Sequence, residues 1–120
     1  MLVCCKRAIH TRNVFEFIHC WPEAPASVDY LRLPHRHQFY VYCSIEVEHD
    51  NRELEFITVQ HSIDAFLNRA QFAQRSSCED IAHEVAQWLV ELYGERDIAV
   101  SVLEDDENGA TVYYNKVKEN

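Results

Sequence analysis

The chain predicts an α+β fold, an antiparallel four-stranded sheet with two helices on one face, in the order ββ-αα-ββ. Three observations predict it. The run from His35 to Glu48 alternates with period two: His35, His37, Phe39, Val41, Cys43, Ile45 and Val47 fall on one side, Arg36, Gln38, Tyr40, Tyr42, Ser44, Glu46 and Glu48 on the other. Two stretches with helical spacing follow it, and two further alternating runs close the chain. Connections this short favour antiparallel neighbours over βαβ units. With 120 residues, one domain over 1–120 is expected.

Residues 2–19 read as a first strand, broken near Thr11-Arg12-Asn13. Residues 20–34 hold Pro22, Pro25 and Pro34 and read as a loop, long enough to suggest function. The second strand runs from about His35 to Glu48. His49-Asp50-Asn51 signals a turn, and Glu53 to Ile57 a short strand with Leu54 and Phe56 on one side. Val59, Ile63, Phe66 and Leu67 then fall at i, i+4, i+7 and i+8, one helical face. A second helix spans Ser76 to Tyr93, with Ile81, Val85, Trp88, Leu89 and Leu92 as its apolar stripe and Ala82 and Ala86 beside it. Ser76-x-x-Glu79 makes a full capping box and Ser77-x-x-Asp80 a partial one, and Gly94 suits the stop. Ile98 to Glu104 alternates again, Asp105 to Gly109 reads as a turn around Asn-Gly, and Ala110 to Tyr114 returns. Residues from about 115 to 120 read as a frayed tail.

Hydrophobic residues make up 48% of the chain and charged residues 26%, enough for a core. The net charge of -9 has the wrong sign for a phosphate-binding surface, so nucleic acid is a poor partner. Five cysteines without regular spacing argue against a disulfide framework or a cysteine zinc knuckle. Cys43, Cys4 and Cys5 read as packing or surface residues. Met-Leu-Val-Cys-Cys-Lys-Arg lacks the apolar stretch of a signal peptide, and no run reaches the ~20 apolar residues of a membrane span. The expectation is a cytoplasmic protein without membrane partners.

The chemistry centres on Pro34-His35-Arg36-His37. Both imidazoles project from the face that otherwise enters the core, roughly 7 Å apart at the backbone. Rings so spaced can share one ion at nitrogen–zinc distances of about 2.0–2.1 Å. His19 offers a third ligand. It ends Val14-Phe15-Glu16-Phe17-Ile18-His19, on the face of Phe15 and Phe17, and antiparallel pairing would bring it beside the other two. The plainer alternative is chance: the chain has seven histidines, and a His-x-His pair alone says little.

This element order resembles the 6-pyruvoyltetrahydropterin synthase / 6-carboxytetrahydropterin synthase family, the tunnelling fold or T-fold, over nearly the whole chain. Phe15-Glu16-Phe17-Ile18-His19 is similar to that family's first-strand Phe-x-x-x-His, and Pro34-His35-Arg36-His37 to its His-Gly-His. Glu53-Leu54-Glu55-Phe56 resembles the short strand before its first helix. Ser77-Cys78-Glu79-Asp80-Ile81-Ala82 resembles the start of its second helix. Val100 to Asp105, followed by Val112-Tyr113, resembles its closing hairpin. The resemblance implies Zn2+ on His19, His35 and His37, with a position left open for chemistry. It implies that Glu104 anchors a pterin or purine-like ring through paired N–H groups, and that Ser77 and Cys78 contact the same ligand. It further implies a homo-oligomer with sites at subunit interfaces, and a lyase-type reaction on dihydroneopterin triphosphate or a related pterin, on a route to 7-deazaguanines (as in queuosine biosynthesis) or tetrahydropterins.

The sequence also departs from that pattern. Asp29 to Pro34 contains no cysteine where the family places its catalytic one, Asn68 to Arg75 contains neither Asp nor His, and Arg36 replaces the glycine between the histidines. Cys20, Asp29, His61 and Asp64 are conceivable proton carriers, though each reads more simply as a packing or surface residue. The catalytic residues are therefore unassigned. Three readings remain open: a zinc-dependent enzyme, a T-fold that binds zinc and ligand without turnover, or an acidic structural oligomer without metal.

Overall fold

The computed structural model describes residues 1–117. Four antiparallel strands form one sheet in the order β1-β2-β3-β4, with β1 Arg7–His19, β2 His35–Val47, β3 Ile98–Glu104 and β4 Asn108–Tyr114. A 3-10 helix, Ala26–Arg32, lies in the β1–β2 loop. Helices α1 (Phe56–Arg69) and α2 (Cys78–Tyr93) fall between β2 and β3, α1 over β1 and α2 over β3 and β4.

The period-two alternation of β2 becomes burial. Phe39, Val41, Cys43 and Ile45 are essentially inaccessible, and Val100 and Val102 of β3 join them. Val59, Ile63 and Leu67 of α1 and Ile81, Ala82, Val85, Ala86 and Leu89 of α2 close the core from above. Each fully buried aliphatic side chain stabilises the fold by roughly 1.5–3 kcal/mol. Phe66 stacks on Trp88 with centroids 4.6 Å apart, joining the helices at their margin. Leu92, expected in the α2 stripe, is instead half exposed.

Several boundaries differ from the expectation, each for a local reason. Residues 2–6 precede β1 and are exposed. The strand runs unbroken through Thr11 and Asn13, which point inward and are buried. Asn13 is tolerated there because α1 supplies partners: its Nδ2 donates to Gln60 O (3.0 Å) and Asp64 Oδ1 (2.6 Å). Glu53 to Ile57 forms no strand. Glu53 pairs with Arg96, and Glu55 caps α1 by accepting from Ile57 N and Thr58 N. Phe56, expected on the same side as Leu54, is exposed, whereas Leu54 packs partly against the core. The capping box of α2 uses Ser77 and Asp80 rather than Ser76 and Glu79. Asn108-Gly109 lies in β4, and the turn is Asp105 to Glu107, with Asp105 and Asp106 at φ 52° and 59°. Gly109 is needed for space, since a Cβ there would run into Val102 O. Asn115 to Val117 have no regular structure, and the rest of the expected tail, 118–120, lies outside the described residues.

The strands differ in length. β1 and β2 pair from Arg7↔Val47 to His19↔His35, whereas β3 pairs with β2 only from Ile45 to Phe39. Glu16–His19 and His35–Gln38 therefore project past β3 as a two-stranded ribbon. Among the described residues, no helix is long and apolar enough to cross a membrane.

Candidate metal centre

The register places His19 directly opposite His35, with His37 two residues along the same face. The ring centroids of His19 and His35 are 4.5 Å apart, those of His35 and His37 5.0 Å, and those of His19 and His37 5.8 Å. One nitrogen from each ring lies within 4.8 Å of the others. This trio could hold a metal ion.

The outer nitrogens decide how the rings are presented. His19 Nδ1 donates to Ser76 O at 3.0 Å and His35 Nδ1 to Leu33 O at 2.8 Å. A carbonyl only accepts, so both rings carry their proton on Nδ1. His37 Nδ1 donates to Asp105 Oδ2 at 2.7 Å. In the neutral rings each Nε2 keeps its lone pair, and the Nδ1 contacts are the outer hydrogen bonds that orient metal-binding histidines. His19 Nε2 is buried without a hydrogen-bond partner. An orphaned buried acceptor costs free energy unless something satisfies it, and an ion would.

Each outer contact has a local origin. Pro34 biases Leu33 toward extended backbone, found at φ -90°, ψ 154°, which brings Leu33 O under the following imidazole. Ser76 sits in the connection before the Ser77 cap, and Cys20 N donates to Gln74 O in that connection. The end of β1 is thus tied to the start of α2. Asp105 stands just past the end of β3; its backbone N donates to Gln38 O and its Oδ1 accepts from Gln38 N, swinging Oδ2 toward His37. Asp tolerates this left-handed backbone better than most residues.

Below the histidines lies an aromatic floor. The His19 ring meets Phe39 edge-on at 5.1 Å, and Phe15, Phe17, Phe39 and Phe72 pack with centroids 5.5–6.3 Å apart where they touch. Above them opens a cleft of about 390 Å³. Its walls include His19, His35, Glu104, Ser77 and Cys78, so the residues singled out in the sequence for ligand contact border one space.

Glu104 projects from the end of β3 toward the rings, with Oε1 3.2 Å from His19 Nε2 and Oε2 3.5 Å from His37 Nε2. Its carboxyl is held below the usual range by His19, against the opposing effect of burial. His19 is raised in return, chiefly by Glu104. Cys78 Sγ stands 3.9 Å from Glu104 Oε1, and burial, helped by that carboxylate, pushes its thiol up to about 12. At neutral pH it is a thiol, not a thiolate. Ser77 Oγ accepts from Asp80 N and so caps α2 while bordering the cleft.

Of the other polar residues weighed in the sequence, Cys20 borders the cleft, whereas Asp29 lies exposed on the 3-10 helix. His61 is exposed on α1, and Asp64 is engaged by Asn13. Sequence reasoning missed Asp105, the Leu33 and Ser76 carbonyls, and Trp21 and Arg75 at the cleft wall. No protein-family model matches the chain, and no curated protein matches it.

Proposed function

We propose that this chain is a zinc-binding T-fold protein of the tetrahydropterin synthase type, carrying out a lyase-type conversion of dihydroneopterin triphosphate or a related pterin. The observation that carries the reading is the convergence of one nitrogen from each of three imidazoles, whose Nδ1 atoms are held by outer partners, at the rim of a cleft faced by Glu104. Three neutral imidazoles suit zinc, leave its charge intact and leave a further position. Zinc bound there supplies a Lewis acid for an oxygenated side chain of the ligand.

The protein's own groups do the rest. Glu104, an ionised acceptor, is suited to hold the guanidine-like edge of a pterin or purine through two parallel N–H bonds. Ser77 Oγ and Cys78 Sγ border the same space and offer further hydrogen-bond contacts. The aromatic floor keeps water from the inner side of the rings and strengthens electrostatic interactions there. The opposite sheet face carries Val14, Ile18 and Tyr113 exposed, and β1 and β4 are free edges. Both features support assembly as a homo-oligomer.

A second reading has its own support. Cys78 is held as a thiol, and the Asp–His contact beside the cleft, Asp105 to His37, is committed to a ring of the histidine trio, so neither is poised to move protons. In that reading the protein binds zinc and a pterin- or purine-like ligand without turnover.

Purified zinc-loaded protein incubated with dihydroneopterin triphosphate tests the first reading by product analysis. A lyase product supports it; ligand binding without product selects the second. His35→Ala should lose both metal and activity while keeping its circular dichroism. Full zinc retention in that variant would remove the site altogether.

A further inference from the structure

The carboxylate of Glu104 reaches past the open cleft to the histidines themselves. The two nitrogens it approaches, at 3.2 and 3.5 Å, are the Nε2 atoms that the Nδ1 contacts leave free. Two donors on one tetrahedral zinc, each about 2.0–2.1 Å from it, stand about 3.3 Å apart. Each carboxylate oxygen of Glu104 therefore keeps, toward one histidine, the spacing of a neighbouring ligand: Oε1 toward His19 and Oε2 toward His37. In the neutral ring a hydrogen bond does not explain the approach: the proton sits on Nδ1, donated to Ser76 O, so Nε2 and the carboxylate face each other as two acceptors.

We infer that Glu104 is a fourth metal ligand in the resting protein, completing a His19–His35–His37–Glu104 set. The inference rests on the metal half of the proposed function and goes beyond its pterin half. The backbone supports it. Glu104 is paired with Phe39 across the sheet, which puts it diagonal to His37 on the same face, within reach of a long side chain. Asp105 grips the far side of the same imidazole, so two consecutive carboxylates bracket His37 along one line. The histidine nitrogens lie within 4.8 Å of one another, wider than a tetrahedral edge, so binding draws the donors inward. The site is then closed at rest. A ligand presenting paired N–H groups would draw Glu104 away and open a position, which links ligand recognition to metal access.

The rival donor is Cys78, whose sulfur lies 3.9 Å from Glu104 Oε1. Cobalt(II) separates the two, because thiolate ligation adds an intense near-ultraviolet band that oxygen ligation lacks. Metal-free protein, Glu104→Gln, Glu104→Ala, Cys78→Ser and His35→Ala are titrated with cobalt(II), with zinc(II) in competition. The expected result is a four-coordinate visible spectrum without a thiolate band. Glu104→Ala should bind at least about ten-fold more weakly with a changed spectrum, and Cys78→Ser should match the unmodified protein. If Glu104→Ala does not fold, Glu104→Gln, of the same shape, is read in its place. Unmodified affinity and spectrum in the Glu104 variants overturn the inference, as does a thiolate band lost in Cys78→Ser. In either case metal binding that disappears in His35→Ala leaves the histidine trio standing. Absence of metal binding in the unmodified protein overturns both.

Discussion

His37 stands between two consecutive acids, Asp105 at Nδ1 and Glu104 beside Nε2. The Asp105 contact orients the ring and fixes its tautomer. Asp105→Asn keeps one acceptor and tolerates the same left-handed backbone, but it removes the charge and cannot accept from both Gln38 N and His37 Nδ1. It should weaken zinc affinity about ten-fold, measured by competition with a chelator, with thermal stability of the metal-free protein nearly unchanged. The trio was legible in the sequence because histidine is a distinctive residue and strand parity says which way it points. Its outer partners were not. Leu33 and Ser76 act through carbonyls, which every residue has, and Asp105 hides among four consecutive acidic residues, distinguished only by its register with Gln38.

The closing hairpin shows how one element positions the site from the far side of the sheet. Its turn spans Asp105 to Glu107, so β4 begins earlier than Asn-Gly chemistry suggested, and Gly109 pairs with Leu103 where a side chain has no room. Gly109→Ala should destabilise the protein by at least about 2 kcal/mol, read from denaturant midpoints, and should weaken metal binding through Glu104 and Asp105. The strand and helix patterns were readable wherever alternation or helical spacing extended over several turns, as in β2 and α2. They misled where the pattern was short. Leu54 and Phe56 alternate, but Glu53 and Glu55 between them are committed to Arg96 and to the α1 cap. Thr11 and Asn13 resembled a break, because partners on a distant helix are invisible to local reading.

At the scale of the molecule, the end of the sheet opposite the histidines is held by charge. Arg96 donates to Glu53 at 3.1 and 2.8 Å and to Glu46 O at 3.0 Å. Arg96, helped by the Glu48 N–H, holds the Glu53 carboxyl down to about 2, from an ordinary value of 4.5. A depressed carboxyl adds stability that is fully present above its unfolded value and lost as pH falls through the folded one. Metal-free protein should therefore lose stability between about pH 4.5 and 2, and Glu53→Gln should flatten that part of the profile, read by thermal melts at stepped pH. The topology was legible from element order and short connections. The unequal strand lengths were not, since pairing partners are set by the whole sheet.

That inequality bears on what an ion does for the protein as well as for a ligand. A lone pair of strands is marginal in water, and the ribbon of 16–19 and 35–38 lacks a third strand to brace it. Zinc gripping His19 and His35 would act as a rivet at its tip, with the acids of the neighbouring turn as a third point of attachment. Amides of that segment should exchange with deuterium markedly faster in metal-free protein, while those of 41–45 hold their protection. The fray that chelation releases would then stop at Phe39, which the last residue of β3 braces.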